Sequence, residues 1–536
     1  MSLKSPLNNK RNFQPSLEII SVTLFITIGF LAAFNHSLWR DEMQGWLVAW
    51  KSDTWVNLWK NNAPSGHPVL WSALIFLVKD FTKTPLSMQL MHWFLGSLSI
   101  ICFWRWNPLP GWQKTLFTFG YFPFWEYYFV CRHYVLAQLI TFLFCSSFPL
   151  RRRTYIPAAL CIGLLVNTHA FSWSIGFAAL VTLITEWVFS SKQRNLYLRN
   201  RFWIIDLSIS LVIVLSLTGF ASLSFFQVRE AVDSVPTTLD LRHFLRVVGR
   251  VFGGYMLVIP NSKRFLDLFI TLILTIGLVI TTLSFLRRSR ASTIFFISGT
   301  SFMFAFNYFL YLGIGSRHYG YYFLILIASI WLALHPGEEA ELNSSQIYKD
   351  NQTFNVLSNF FPFLLTFSLS VHFAAGVHRA LYDFYVPYSA GEATATYIKE
   401  KGWADLPKFG TRDVEITTVS GYLNRDIYYP EIKALGSYSQ WNNRRSLKRE
   451  DTLYHVKSYL SEHPNTPELL LILSRKSAFR ELQPGDVMIQ EGLRIVADQR
   501  FERSWVYPER YYLYWVENIK SEKLDMQSFP IQNRSW

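Results

Sequence analysis

Long apolar runs recur along the first two thirds of the chain. They measure about 17–22 residues and extend from Leu17 to about His378, a length that matches the roughly 30 Å hydrocarbon core of a bilayer at 1.5 Å per helical residue. No cleavage site follows the first run, so it is predicted to be a retained helix rather than a signal peptide. The pattern predicts about eleven transmembrane helices, over residues 17–35, 88–104, 115–131, 134–150, 155–169, 170–188, 204–222, 265–285, 292–313, 320–334 and 357–378.

A shorter apolar segment at 68–80 breaks this regularity, because it is too short to cross a bilayer comfortably. Counting it as a span would reverse the side of every later loop. The segment is therefore predicted to be a juxtamembrane helix that lies on the outer membrane surface.

Beyond residue 379 the apolar runs shorten to the length of β-strands. Strand-like composition recurs at 414–420, 468–474 and 511–516, and a helical pattern covers 451–463. The fold class predicted from the whole chain is an all-α polytopic membrane protein with a small C-terminal α/β domain. The predicted boundary separates a transmembrane module, 1–379, from an extracytoplasmic domain, 380–536.

Charge supports this division and gives it an orientation. Only 16% of the 536 residues are charged, against about 25% in an ordinary soluble domain. Residues 380–536 contain 21 basic and 21 acidic residues, so the net charge of +14 belongs entirely to the first module. A basic excess in short loops between membrane helices is a topology signal that requires no nucleic-acid partner. Basic residues without acids gather at Lys4, Lys10, Arg11; Arg105, Lys114; Arg151–Arg153; Lys192, Arg194, Arg199, Arg201; and Arg287, Arg288, Arg290.

These basic clusters predict a cytoplasmic N-terminus and an extracytoplasmic C-terminal domain. The long outer loops are then 36–87 and 223–264. The acidic loop 335–356 is predicted to lie inside only because of the number of helices that precede it. The four cysteines lie in or beside apolar runs without metal-ligand spacing, so they are interpreted as packed free thiols; they are Cys102, Cys131, Cys145 and Cys161.

Polar residues at membrane depth are costly, and each is a functional candidate. Arg40, Asp41 and Glu42 follow the first helix, between Trp39 and Trp46. Burial beside apolar rings raises the pKa of a carboxyl group, whereas a neighbouring Arg lowers it. The alternative interpretation of this segment is a helix cap at the membrane interface.

Further candidates stand at the outer ends of other predicted helices. Arg132 suits phosphate because its guanidinium offers a planar pair of donors. Each motif alone could equally be a headgroup anchor or a helix cap, but all are predicted to face the same side, and convergence of acid, base and cations favours a site. The candidates are His67 in GHP, Glu126, Arg132, His133 and Tyr134 in EYYFVCRHY, His169 in NTHAFSW, and Arg317, His318 and Tyr319 in GSRHYGYY.

A carboxylate pair in the first outer loop, followed by GHPxLW, EYYxxxRxY and NTHxF, resembles the GT-C superfamily of membrane glycosyltransferases. This superfamily includes protein O-mannosyltransferases and the aminoarabinose transferases of lipid A. The likeness covers roughly residues 15–335, although RDE and GHP differ from better-studied members. It implies a GT-C-like catalytic module, a polyprenyl-phosphate-linked sugar donor, an acceptor hydroxyl on a lipid, glycan or protein, and inversion at the anomeric carbon.

The chemistry implied by the resemblance fits the candidate residues. The acceptor hydroxyl needs a base as it attacks, and Asp41 or Glu42 can supply one. Arg132 and Arg317 can stabilise the charge that develops on the leaving phosphate. Some GT-C enzymes use a divalent metal, for which Asp41, His67 and His169 are the available polar groups; no metal is assigned.

Three other functions compete with a transferase. A transporter or flippase would favour ionisable residues at the bilayer midplane and repeated halves, neither of which is evident. A lipid-saccharide ligase or polymerase shares the donor and the outer arginines but does not call for an Asp-Glu pair after the first helix. A non-catalytic sensor would use the C-terminal domain to bind its ligand.

Overall fold

The computed structural model describes residues 15–226, 241–256, 265–309, 316–335, 352–441, 444–475, 479 and 481–519. The chain forms two compact units. The first comprises Met1–His36 and Val48–Tyr385, and the second comprises Ser37–Leu47 and Val386–Trp536. The segment that carries Asp41 therefore belongs to the same unit as the C-terminal chain. The first basic cluster, at 4–11, and most of the loop 335–356 lie outside the described residues.

The first unit is helical throughout its described part. Helix α2 begins in the second unit and ends in the first. The helices are α1 (Pro15–Asn35), α2 (Arg40–Trp50), α3 (Trp55–Asn62), α4 (Leu70–Val78), α5 (Leu86–Trp106), α6 (Gly111–Thr118), α7 (Tyr134–Ser147), α8 (Ile156–Val166), α9 (Trp173–Phe189), α10 (Ser191–Leu198), α11 (Trp203–Phe226), α12 (Leu241–Tyr255), α13 (Phe265–Leu286), α14 (Arg290–Phe309), α15 (Ser316–Ala333) and α16 (Gln352–Tyr385).

Membrane-spanning character is clear in much of this unit. Helix α11 leaves large apolar side chains exposed, such as Leu215 at 70%, as expected of a surface that faces lipid. By contrast, α15 is enclosed on all sides from Tyr321 to Ala333. Within the described chain, seven segments are long and apolar enough to span: Ser16–Asn35, Leu86–Trp106, Tyr134–Arg152, Ala170–Phe189, Trp203–Ser224, Phe269–Leu286 and Val356–Tyr385.

The prediction of one continuous helix over 115–131 is wrong. Helix α6 ends at Thr118, Gly120 is extended, and a π-helix runs from Tyr121 to Phe129. Its wider winding is visible in the 3.3 Å hydrogen bond from the Val130 N–H to the Trp125 carbonyl. All nine side chains of the π-helix are buried. The apolar character of this stretch therefore reflects enclosure within the unit, which a sequence pattern does not distinguish from contact with lipid.

The second unit contains a seven-stranded mixed sheet in the order β3-β2-β1-β4-β7-β6-β5. Parallel pairing joins β1 to β2 and β4, whereas β7 runs antiparallel to β4 and β6. The strands are β1 (Lys408–Gly410), β2 (Ile427–Tyr429), β3 (Ala434–Gly436), β4 (Glu468–Ser474), β5 (Val487–Gln490), β6 (Leu493–Phe501) and β7 (Tyr511–Asn518).

Both faces of this sheet are covered, which explains the uninterrupted apolar run in β4. Because side chains alternate across a strand, Leu471 packs with Val456 of α19 (Thr452–Glu462) on one face. On the other face Ile472 packs with Ile398 of α17 (Gly391–Glu400) and Ile416 of α18 (Asp413–Leu423).

Three of the four elements predicted in this domain are confirmed, namely the strands at 468–474 and 511–516 and the helix at 451–463. The strand predicted over 414–420 is wrong, because these residues lie in α18. β-branched residues favour strands only weakly, and tertiary context overrides them. Here Asn424, in a left-handed conformation that commonly ends helices, terminates α18.

Candidate functional site

Four histidines from distant parts of the sequence meet in the first unit. The His169 ring lies 4.2 Å from that of His133, 4.8 Å from His67 and 5.8 Å from His318, measured between centroids. His67 precedes α4, His133 caps α7, His169 begins the turn into α9, and His318 lies in the first turn of α15. The structure thus brings together four of the candidates, His67, His133, His169 and His318. We call these four side chains the histidine cluster.

The turn between α8 and α9 fixes the His169 ring. Its Nδ1 accepts the Phe171 N–H at 3.2 Å, and its backbone N–H donates to the Ser172 hydroxyl at 3.1 Å. A neutral imidazole whose Nδ1 accepts carries its proton on Nε2, which is then a hydrogen-bond donor. Nearby, the buried Nε2 of His133 has no hydrogen-bond partner among the described residues. A buried polar atom of this kind is a group that a ligand can satisfy.

Arginines surround the histidine cluster. The positive charges of Arg132, Arg317 and Arg250 all act on His318, and those of Arg132 and Arg317 also act on His133. All three arginines are half-buried. Guanidinium groups present paired donors that match phosphate oxygens, and in a partly buried place their charge is less screened. The arrangement can hold an anion with several negatively charged oxygens.

Arg250 was missed in the sequence-based prediction. It lies on α12 and interacts electrostatically with Tyr319, the last of the predicted candidates on α15. The signal was present in the sequence, because Arg242, Arg246 and Arg250 recur every four residues and so share one helix face.

Aromatic packing from the π-helix holds this region together. Tyr127 stacks on Tyr134 at 5.3 Å and donates its hydroxyl hydrogen to the Arg317 carbonyl at 3.0 Å. Tyr134 in turn packs against His133 at 4.4 Å. Gly320 is required for this close approach, since a Cβ there would lie 2.1 Å from the Tyr127 hydroxyl oxygen. Tyr134 thus joins the histidine cluster, as its motif suggested.

Glu126 makes a hydrogen bond inside the π-helix, and its role as a substrate ligand stays a prediction. It is buried within the π-helix and accepts the Tyr121 hydroxyl at 2.8 Å. This bond links the first turn of the π-helix to its middle. The observed contact of Glu126 is therefore internal to this element.

An apolar groove is lined in part by residues close in sequence to two of the cluster histidines. Its cavity of about 550 Å³ is bounded by α3, α4, α8 and α11, and its walls include Val69 and Asn167, each two residues from a cluster histidine. Lys60 is the charged residue of its lining. Such a groove fits a hydrocarbon chain better than a polar ligand. Its apolar walls include Trp55, Trp59, Leu70, Leu164, Leu217 and Phe220.

The second unit contains the carboxylate pair, and its two members differ. Glu42 is fully buried, and its Oε2 accepts the Trp39 N–H at 3.0 Å, which caps the start of α2. The Asp41 side chain remains 31% exposed, with the Arg40 Nε 3.6 Å from its Oδ1. Glu42 is therefore occupied in shaping the helix, whereas Asp41 is accessible to a reactant.

The divalent metal considered on the basis of the resemblance stays a prediction. Among the described residues, no group of three or more His, Cys, Asp or Glu side chains is arranged to hold an ion.

Comparison with known proteins rests on structure rather than sequence. No protein-family model matches the chain, and no curated protein matches its sequence. The crystal structure of ArnT from Cupriavidus metallidurans in the apo state matches 94% of this chain and 98% of that one, with a TM-score of 0.51 and 11% identity. The chain has the fold of ArnT. A second structure of that protein, bound to undecaprenyl phosphate, covers 95% of this chain and 99% of its own, with a TM-score of 0.49 and 13% identity.

This match shows a fold shared with ArnT, and it supports the expected resemblance at the level of fold alone. It also confirms the predicted class, a helical integral membrane protein with a small C-terminal region of strands. The number of membrane spans and the sides of the termini stay predictions.

Proposed function

We propose that this protein is an inverting membrane glycosyltransferase that moves a sugar from a polyprenyl-phosphate donor to an acceptor hydroxyl. The observations that carry the proposal are the histidine cluster with its three arginines and an apolar groove whose lining includes Val69 and Asn167, each two residues from a cluster histidine. A lipid phosphate needs a cationic site for its head beside an apolar channel for its chain. The fold shared with ArnT supports a membrane-embedded transferase of this kind.

In this proposal the first unit stabilises the leaving phosphate. As the bond between the sugar carbon and the phosphate oxygen breaks, negative charge develops on that oxygen. Arg132, Arg250 and Arg317 offset this charge, and Nε2–H of His169 donates a hydrogen bond to a phosphate oxygen. Prearranged donors of this kind lower the barrier because they need no reorganisation during the reaction.

Asp41 is the proposed base. The acceptor hydroxyl gives its proton to the Asp41 carboxylate while its oxygen attacks the anomeric carbon, and the polyprenyl phosphate leaves with the bonding electron pair. A single displacement inverts the anomeric configuration. The exposure of Asp41 and the capping role of Glu42 favour Asp41 for this step.

The sharpest test compares two isosteric substitutions. Asp41→Asn removes basicity and should lower product formation by about 10²–10⁴-fold, the usual cost of losing a general base. Glu42→Gln keeps an oxygen that can accept the Trp39 N–H and should retain most activity. Product is measured by mass spectrometry of lipids and glycans from a deletion strain that expresses each variant. Near-normal product with Asp41→Asn would refute its role as base.

The same experiment addresses the alternatives. A transporter or flippase would change the distribution of lipid-linked sugar without forming a new glycosidic bond. A ligase or polymerase would transfer an oligosaccharide, visible as a larger mass increment on the acceptor. The donor head site is probed separately, with undecaprenyl phosphate and purified protein.

A further inference from the structure

The segment Ser37–Leu47 is bound to the C-terminal chain within the second unit. Ahead of Asp41, the Ser37 hydroxyl donates to the Ser389 carbonyl at 2.9 Å. The Leu38 N–H donates to the Tyr422 hydroxyl at 2.8 Å. These bonds fix the backbone of the turn that leads into α2.

Arg40 continues this attachment with both its backbone and its side chain. Its N–H donates to Oε1 of Glu509 at 3.0 Å, and its guanidinium lies 3.3 Å from Oε1 of Glu415. Glu509 is fully buried, and the Thr418 hydroxyl donates to its other oxygen at 3.2 Å. The first N–H groups of a helix have no partner within the helix, so this carboxyl supplies one from outside.

The chain after Asp41 is held as well. The Gln44 amide makes two hydrogen bonds with the backbone of Ser439, each of 3.0 Å. Met43 packs so closely on α18 that a Cβ at Gly421 would lie 2.2 Å from its sulfur. Asp41 therefore stands on a turn of helix that is bound on both sides by residues distant in the sequence.

We propose that the C-terminal chain positions the catalytic carboxylate, with Tyr422 and Glu509 as the principal positioning residues. The inference rests on the proposed function, in which Asp41 is the base. A base acts only within hydrogen-bond reach of the proton it removes. Because the Asp41 side chain is partly exposed, its location depends on the backbone that carries it. The C-terminal chain is thus part of the catalytic apparatus rather than an accessory domain.

The test compares two Tyr→Phe variants of the full-length protein. Tyr422→Phe removes the acceptor of the Leu38 N–H. Tyr514→Phe is the matched control, because it removes a phenolic hydrogen bond of the same unit, to the Phe479 carbonyl, that does not involve the segment. Hydrogen exchange over 38–43, product in the deletion strain, affinity for undecaprenyl phosphate and Tm are measured for each.

Tyr422→Phe should speed amide exchange over 38–43 and lower product by about ten- to a hundredfold, the scale of a small misplacement of a reacting group. Affinity for undecaprenyl phosphate should not change. Tyr514→Phe should leave exchange over 38–43 and product at wild-type levels, whatever its Tm. Gln44→Met, which loosens the segment on its other side, should behave as Tyr422→Phe does.

Equal losses of product in the two Tyr→Phe variants, in proportion to Tm, would overturn the inference, because they would mean that the C-terminal chain only adds stability. Faster exchange without loss of product would also overturn it if Asp41→Asn is inactive. If Asp41→Asn is active, the proposed base itself is wrong, and the positioning role falls with it.

Discussion

Glu509 gives the second unit a distinctive dependence on pH. The pKa of this carboxyl is raised from 4.5 to about 8, mainly by burial and in smaller part by the nearby charge of Asp41. The hydrogen bond from the Arg40 N–H and the charge of Arg40 act in the opposite direction and lower the pKa. An unfolded chain loses this proton near pH 4.5, whereas the folded chain keeps it until about pH 8. Between these values the unfolded state binds fewer protons, so the free energy of unfolding falls as pH rises.

The magnitude follows from the size of the shift. At about 1.4 kcal/mol per pKa unit, the loss between pH 4.5 and pH 8 amounts to about 5 kcal/mol. Glu509→Gln mimics the protonated acid and removes the titration. The variant should match the wild type in Tm near pH 5 and exceed it increasingly up to pH 8. Differential scanning fluorimetry in detergent at several pH values measures this difference.

Glu517→Gln is the control, since Glu517 lies on β7, which follows Glu509 in the sequence, but its side chain is 37% exposed and paired with Arg494. The decisive quantity is the difference in Tm between the variant and the wild type at each pH, rather than the wild-type Tm itself. Burial also raises the pKa of Glu431 from 4.5 to about 7, so this group adds to the loss of stability between these two pH values. Parallel Tm curves for wild type and Glu509→Gln from pH 5 to 8 would refute the reasoning.

Three further predictions concern the first unit and the topology. Arg132→Lys should weaken binding of undecaprenyl phosphate by about 1.5–3 kcal/mol, the scale of a charged hydrogen bond, as measured by titration. Arg153→Lys is the control, because Arg153 is exposed, and it should leave this affinity unchanged. Gly320→Ala should lower both Tm and the affinity for undecaprenyl phosphate, because its Cβ would meet the side chains of Tyr127 and Phe122 at 2.1–2.7 Å. An unchanged Tm and affinity would contradict the close packing of Gly320 against these rings. Cysteines introduced by Asn200→Cys and Glu450→Cys should label from opposite sides of the membrane, over a low background from buried native thiols; labelling from one side would contradict the threading.

Much of the fold could be predicted because burial in a bilayer and burial in a core leave the same apolar signature. Long runs such as α1, α5 and α11 were located to within a few residues. The same equivalence explains the error at 115–131, where an enclosed π-helix has the composition of a span. In the second unit, α18 was mistaken for a strand because its β-branched residues are buried against the sheet on which it packs.

The candidate site divides in a similar way. His67, His169 and His318 were predicted to converge because polar residues at membrane depth are rare, and all three were predicted to face the same outer side. Arg250 was missed because it lies in a long polar loop, where an arginine attracts no notice without the periodicity of its helix. The attachment of Ser37–Leu47 to the C-terminal chain could not be predicted at all, since its partners are more than 300 positions away in the sequence and their pairing depends on the tertiary fold.

The distinction between Asp41 and Glu42 illustrates what a sequence leaves undecided. Adjacent carboxylates are chemically similar, and either could serve as a base. Once they enter a helix, successive side chains point about 100° apart, so one of them can reach back to the N-cap while the other cannot. Glu42 takes the capping position and is buried by it, and Asp41 is left accessible beside Arg40. The same helical start therefore buries Glu42 and leaves Asp41 partly exposed, and removing the cap should disturb the placement of both side chains.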